Sequence, residues 1–501
     1  MTRTYWTVAI LACAPLVAGC PPPYTPGDTD SATETDTDTG ETSTSTSPEV
    51  TTTSTTSVEP TTGPQTSTTT EPETSTTGPT TGNQGCAGDN DCSDPDKPFC
   101  IEQACVGCDG TPDPDATCAE VDAETPVCDL DDGSCVVCTP ENKAECGGAT
   151  PVCDAVSNEC VGCVEHADCP ESACNPESGA CFAVDYVIYV DSVAACDVGD
   201  GTIAAPYCQI TQALDKVATN DPSLGWTIKV KTGNYIQPAL VVPEESVLAI
   251  VGDGGVAKIR STTAATLQIS PTSKVTLGKL NLASNADDSG LTCTSSQIFA
   301  TDLTFSLNRQ GYVGTDCSAS FNRSVFYKNT SGGMSVFGAG ATSLVNSYIS
   351  NNGSNAESNY GGLLTGQGHE LELLYSTVVN NLSEVGARSL LCMPDAGPTT
   401  VRNSVVIAFV APSIDCPTVT FENSAIDEGK VDGDTNLLAV MEDAMAWFEQ
   451  QVGGVYKAKA DTPIASLAVW KDGDPATDFN GDPRPGTDGG TDYAGADRPM
   501  P

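Results

Sequence analysis

The sequence predicts an all-β chain whose body is a parallel β-helix solenoid with an N-terminal cap helix, preceded by a disordered linker and small disulfide-rich repeats. Three observations predict it: an internal repeat from about Leu277 to Ile426, two cysteine pairs standing one repeat apart, and a short amphipathic segment just ahead of the repeat.

Seven equivalent anchors, Lys279, Asp302, Arg323, Asn346, Tyr375, Asn403 and Asn423, lie 23, 21, 23, 29, 28 and 20 residues apart. Two residues before each anchor stand Leu277, Ala300, Phe321, Leu344, Leu373, Val401 and Phe421; three after stand Leu282, Phe305, Phe326, Ile349, Val378, Val406 and Ile426. Both columns are apolar, yet they are out of step with strict alternation, so the chain must bend near the anchor. A period of this size marks units too small to bury their own faces, which must stack on their neighbours. Val, Thr, Ser, Asn and Phe dominate the units, which favours strands over helices. One residue after the anchor, Ser324, Ser347, Ser376, Ser404 and Ser424 predict a buried file of hydroxyls. Six after it, Asn285, Asn308, Asn329, Asn352 and Asn381 predict a second bend and an asparagine ladder, because stacked amides hydrogen-bond from coil to coil. In coil length and asparagine ladder the stretch resembles the pectin-lyase-like superfamily. That resemblance, with the general preference for right-handed crossovers, implies a right-handed helix.

Cys293 and Cys317 are 24 residues apart, as are Cys392 and Cys416. One coil apart means adjacent strands, about 4.8 Å away, which fits the Cα separation of a disulfide. Each pair is expected to bond, with a stabilisation of about 3 kcal/mol in the loop-entropy account.

From the start of the chain, residues 1–20 carry an early arginine, a short apolar run and small residues before Cys20, the make-up of an export signal and not of a membrane span. The ending Leu-Val-Ala-Gly-Cys resembles a bacterial lipobox, which implies cleavage before Cys20, acylation of that cysteine and an exported outer-membrane lipoprotein held to the membrane by its lipid. Residues 21–85 are Thr, Ser, Pro and Gly with scattered acids and no Lys or Arg, a composition without a core that predicts a disordered tether.

Residues 86–183 hold 16 cysteines in four groups of four: Cys86, Cys92, Cys100, Cys105; Cys108, Cys118, Cys128, Cys135; Cys138, Cys146, Cys153, Cys160; Cys163, Cys169, Cys174, Cys181. Units this small need disulfides to stay folded. The Cys-x-x-Cys junctions have zinc spacing, but an exported chain with even cysteine numbers favours disulfides. Three connectivities per unit stay open. The units resemble cysteine-rich repeats of bacterial surface lipoproteins. Removing Cys13 in the signal and Cys20 from the 24 cysteines leaves 22, or eleven bonds, and Cys196 and Cys208 are left to pair with each other.

The body spans 184–430. Ile210, Leu214 and Val217 share one helical face, which predicts a helix capping the open end of the solenoid. Beyond it, 431–501 reads as a second amphipathic helix at 436–451 followed by a closing segment. Asp478, Asn480 and Asp482 have alternate oxygen-ligand spacing suggestive of calcium, although Gly489 stands where the twelfth-position glutamate of an EF-hand belongs. The ordinary alternative is a polar turn with Arg484 paired to a carboxylate.

A net charge of −46 excludes nucleic acid as a partner. Two histidines 203 residues apart, His166 and His369, supply no catalytic triad; both read as solvated loop residues. Many pectin-lyase-like proteins cleave acidic polysaccharides with paired carboxylates, calcium and a basic residue on one outer face. Lys279, Asp302 and Arg323 share one column on consecutive coils and are the candidates for such chemistry, which needs a base and a cation. Asp287, Asp288, Gly368 and His369 resemble fragments of the polygalacturonase pattern, whose other elements are missing. The leading expectation is a surface lipoprotein displaying the β-helix for binding a polysaccharide or surface protein, without a cofactor. The alternatives are a calcium-dependent lyase or hydrolase acting on acidic polysaccharide, and a structural spacer.

Overall fold

The computed structural model describes residues 86–94, 97–283, 285, 287–354, 358–386, 388–408, 412–427, 435–439, 441–450 and 453–498. The chain divides into two units, 1–80 and 81–501, and the described residues all belong to the second. Cys20 and the tether of 21–85 lie outside them.

The body is a parallel β-solenoid. One sheet of eight strands runs from Leu240–Val242 through Ser289–Thr294 and Gly332–Phe337 to Ile414–Asp415. A first sheet carries the segments just before the anchors, such as Lys274–Gly278, Gln297–Thr301, Ser318–Asn322 and Glu370–Leu374. A second carries those just after, such as Leu280–Ala283, Val325–Tyr327 and Thr377–Val379. Two long strands, Trp226–Gln237 and Val247–Ser261, bend through a register shift between Lys231 and Gly233 and serve both sheets. They are coils that precede the readable repeat, inside the expected span of the body, and they lack its anchor and asparagine columns.

The anchors are the corners between the first and second sheets. Lys279, Asp302, Arg323, Asn346, Tyr375, Asn403 and Asn423 all have φ between 47° and 58°, the left-handed region. One left-handed residue turns the chain without a loop, which is why the two apolar columns are out of step and still both point inward. Every member of the later column is fully buried. The second bend sits one residue earlier than the asparagines: Leu307, Lys328, Asn351 and Asn380 take φ of 60°, 53°, 55° and 55°. The ladder asparagines themselves point inward.

Two polar ladders run along the axis inside an otherwise apolar core. Asn308 accepts from the Asn285 backbone N–H, Asn329 from Asn308, Asn352 from Asn329 and Asn381 from Asn352, at 2.9–3.1 Å. Each of the last four donates its amide back to a carbonyl: Asn308 to Leu282, Asn329 to Phe305, Asn352 to Phe326 and Asn381 to Ile349. The serine file behaves likewise, the Oγ atoms of Ser347, Ser376, Ser404 and Ser424 accepting from the N–H one coil earlier. Each corner frees backbone groups that burial would penalise, and these side chains satisfy them. Between the ladders Phe305 stacks on Phe326 at 4.6 Å, with Phe321 edge-on to both.

The expected disulfides Cys196–Cys208, Cys293–Cys317 and Cys392–Cys416 all form. In each small unit the first cysteine pairs with the third and the second with the fourth, from Cys86–Cys100 and Cys92–Cys105 to Cys163–Cys174 and Cys169–Cys181. Helix Ile210–Thr219 buries Ile210, Ala213, Leu214 and Val217 and closes the end of the core as expected.

The second amphipathic helix does not form as expected. Residues 441–444 make one helical turn, 445–447 a 3-10 turn, and Phe448–Gln450 pairs antiparallel with Tyr456–Ala458. Trp447, Phe448 and Tyr456 are buried in a cluster that covers the outer face of the second sheet at Tyr348, Tyr375, Val379 and Val405. Covering a flat sheet favours a hairpin over the isolated helix that periodicity suggested.

Candidate functional site

On the outer face of the first sheet, register aligns Ala249, Thr276, Phe299, Ser320, Ser343, Glu372 and Thr400 in one file. Alternation makes these the outward neighbours of buried Val275, Ile298, Ala319 and Leu371. A parallel file carries Lys274, Gln297 and Ser318, with Ala341 and Glu370 paired further along. The fourth cysteine-rich unit covers the beginning of this face. Phe182 packs with Ala249 and Val251, Lys274 bonds Glu177 at 2.7 and 2.8 Å, and Lys229 donates to the Pro170 carbonyl.

The three catalytic candidates end up at the edge of this contact. Lys279, Asp302 and Arg323 line a recess with Glu165, His166 and Pro176. Arg323 grips Asp302 through Nε at 2.8 Å and Nη2 at 3.2 Å, and its Nη1 reaches Glu165 at 2.8 Å. Its side chain is 13% exposed. The Asp302 bond, reinforced by the charges of Asp302 and Glu165, raises the guanidinium's affinity for its proton despite burial. The three residues thus line one recess, but Asp302 is taken up by Arg323, and Arg323 also holds Glu165 from another part of the chain.

His166 departs from the expectation of a solvated loop residue. It is wedged half-buried against Gly278, where a side chain would lie 2.6 Å from its Nε2. Burial holds it down to about 4, partly opposed by the nearby Asp302, so it is neutral at neutral pH. His369 is also no solvated residue: it is buried at a turn, with Nε2 2.9 Å from the Thr342 hydroxyl, and burial lowers its basicity. Its partner is a neutral hydroxyl, which suits a structural role.

Beyond the recess, the face opens into a cleft of about 360 Å³ lined by Phe299, Ser320, Ser343, Glu370, Glu372 and Thr400 among others. Phe299 and Ser320 line both recess and cleft, so the two adjoin. No lysine or arginine lines the cleft among the described residues. Glu370 and Glu372 are both exposed. An aromatic ring among hydroxyls and carboxylates can bind a saccharide by stacking and hydrogen bonding. Phe299, Glu370 and Glu372 were missed in the sequence, although the Glu-x-Glu spacing inside a strand places both acids on one face.

The calcium candidates lie elsewhere, in the closing segment. Asp478 is fully buried and Asp482 half-buried, and Asp497, not singled out in the sequence, joins them. Asn480 donates to Asp497 at 2.8 Å, and the N–H groups of Asn480 and Asp482 both donate to Asp478 at 2.9 Å. Burial, and next the Asp478 carboxylate, push the Asp497 carboxyl up to about 6. The expected partner of Arg484 is Asp492, at 2.9 Å with both side chains buried.

Comparison with known proteins adds the following. Residues 71–187, spanning the cysteine-rich units, match a family model described as "Family of unknown function (DUF8331)". No curated protein matches the chain. Among solved structures it is similar to the pectin methylesterase PemA from Erwinia chrysanthemi, at 14% identity and TM-score 0.28 over 54% of this chain and 98% of that one. It is also similar to a rhamnogalacturonan lyase, at 11% identity and TM-score 0.25 over 54% of this chain and 95% of that one. Likeness at this level transfers no activity, substrate or residue role. No helix among the described residues is long and apolar enough to cross a membrane.

Proposed function

We propose that this chain is an exported, lipid-anchored binding protein whose β-solenoid presents the cleft around Phe299 to an uncharged glycan. The observation that carries the reading is the make-up of that outer face. In its charged column, Arg323 is engaged with Asp302 and with Glu165 of the fourth cysteine-rich unit, while the open part offers Phe299, serine hydroxyls and Glu372 without a basic residue. Two exposed carboxylates repel an acidic polysaccharide, and a net charge of −46 adds to that repulsion at low salt. A neutral sugar meets no such penalty.

Acylation at Cys20 and the tether of 21–85 would hold the solenoid away from an outer membrane, on the lipobox-like ending of the signal. A Cys20→Ala protein is expected to leave the membrane fraction; retention there would remove the anchor from the proposal. For the cleft, the test is a glycan array with neutral and uronic-acid saccharides, repeated with Phe299→Ala. Neutral ligands bound by the native chain and lost from the variant support the reading. Preferential capture of uronic-acid chains, or release of unsaturated or reducing ends from them, would replace it with the lyase or hydrolase reading.

A further inference from the structure

We propose that Asp478, Asp482 and Asp497 form a site for one divalent cation, best suited to calcium, that fastens the closing segment onto the solenoid. One ligand oxygen from each carboxylate lies within 4.8 Å of the others. Calcium binds oxygens at about 2.3–2.6 Å, so two ligands on opposite sides of it stand roughly 4.6–5.2 Å apart, and the three oxygens fit inside one such sphere.

A second observation comes from Asp497 alone. Its side chain is 1% exposed, and its Oδ1 has no hydrogen-bond partner. An unpaired buried carboxylate oxygen is costly unless a cation or donor meets it. The charges within reach do not balance either. Among the described residues these three carboxylates have one ion-paired ammonium, Lys457 Nζ at 4.0 Å from Asp497, and 3 − 1 leaves a surplus of two negative charges, which one divalent ion neutralises. Arg498 donates its backbone N–H to Asp478 at 2.8 Å and its guanidinium to the Pro483 carbonyl at 3.0 Å, with no ion pair to the trio among the described residues. All the donors are hard oxygens, which selects calcium or magnesium over zinc or copper.

The site's position gives it a structural purpose. Asp478 and Asp482 stand at the start of the stretch 478–498 and Asp497 near its end, while Phe479 packs edge-on against Tyr348 at 5.0 Å and Arg484 lies over the Tyr375 ring. A bound ion would therefore close a loop clamped over the second sheet.

The test uses the full chain stripped with EDTA and then given about 1 mM calcium, a level at which extracellular modules bind. Because the acidic tether also attracts cations, the readout is local: hydrogen–deuterium exchange of amides 478–498, compared in the native chain, Asp482→Asn and Asp497→Asn. Calcium is expected to slow exchange there by about tenfold or more in the native chain and to have no such effect in the variants. No slowing in the native chain, or equal slowing in the variants, overturns the site. Asp482 is half-buried, so Asp482→Asn decides the matter if Asp497→Asn does not fold.

Discussion

Glu165 of the fourth cysteine-rich unit bonds Arg323 of the solenoid at 2.8 Å, across 158 residues of sequence (323 − 165). The bond joins the last disulfide unit to the corner that follows Ser318–Asn322, and His166 beside it is half-buried in the same contact.

This docking should weaken in acid. The folded value of His166 is about 4, below its ordinary 6.5, so the docked state binds fewer protons than the released one. Its contribution is complete above about pH 6.5 and is lost as pH falls towards 4. The charged groups facing it are Asp302, Lys279 and Glu165. Protection of the amides in 163–181, taken relative to the intrinsic exchange rate at each pH, is expected to fall between pH 7 and pH 5 in the native chain and to change much less in His166→Gln. Identical profiles would show that His166 does not govern the contact.

Gly278→Ala should detach the same unit without unfolding the solenoid. The added methyl would sit 2.6 Å from His166 Nε2, closer than real contacts allow, whereas Gly278 itself lies in a regular strand. The expected outcome is protease cleavage near 182–187 at an unchanged main unfolding midpoint. A variant as resistant as the native chain would mean that His166 simply moves aside.

Asn329→Ala should be costly for a single polar truncation. Its Oδ1 accepts from the Asn308 N–H at 3.1 Å and its Nδ2 donates to the Phe305 carbonyl at 3.0 Å, both buried. Each orphaned group costs about 1–3 kcal/mol. Denaturant unfolding is expected to show a loss of about 3 kcal/mol, against less than about 0.5 kcal/mol for the exposed Asn234→Ala.

Arg484→Met would leave Asp492, itself 1% exposed, without its guanidinium, and would remove the cation lying 3.7 Å from the Tyr375 ring centroid. Breaking one side of a buried pair costs about 3–5 kcal/mol. Because the closing segment covers the second sheet, the loss is expected to appear as faster exchange at 463–498 and a lower unfolding midpoint. An unchanged midpoint would mean that the pair only offsets its own desolvation.

The sequence by itself determined the inside of this protein. The apolar columns flanking the anchors, the serine file, the asparagine ladder and the disulfides at 24-residue spacing were all legible, because each coil must present the same face to the same core and so repeats the requirement along the chain. The bends were legible too, although the left-handed residue proved to be the one before Asn308, Asn329, Asn352 and Asn381. Tertiary structure decided the outside. That Lys279, Asp302 and Arg323 meet a disulfide unit, that 436–451 folds as a turn and hairpin, that Asp497 completes the trio with Asp478 and Asp482, and that each small unit pairs its cysteines one-to-three and two-to-four, followed from no periodicity. An outward side chain is constrained only by whatever segment comes to cover it. That segment is set by the path of the whole chain, whereas an inward one is constrained by the coil above and the coil below.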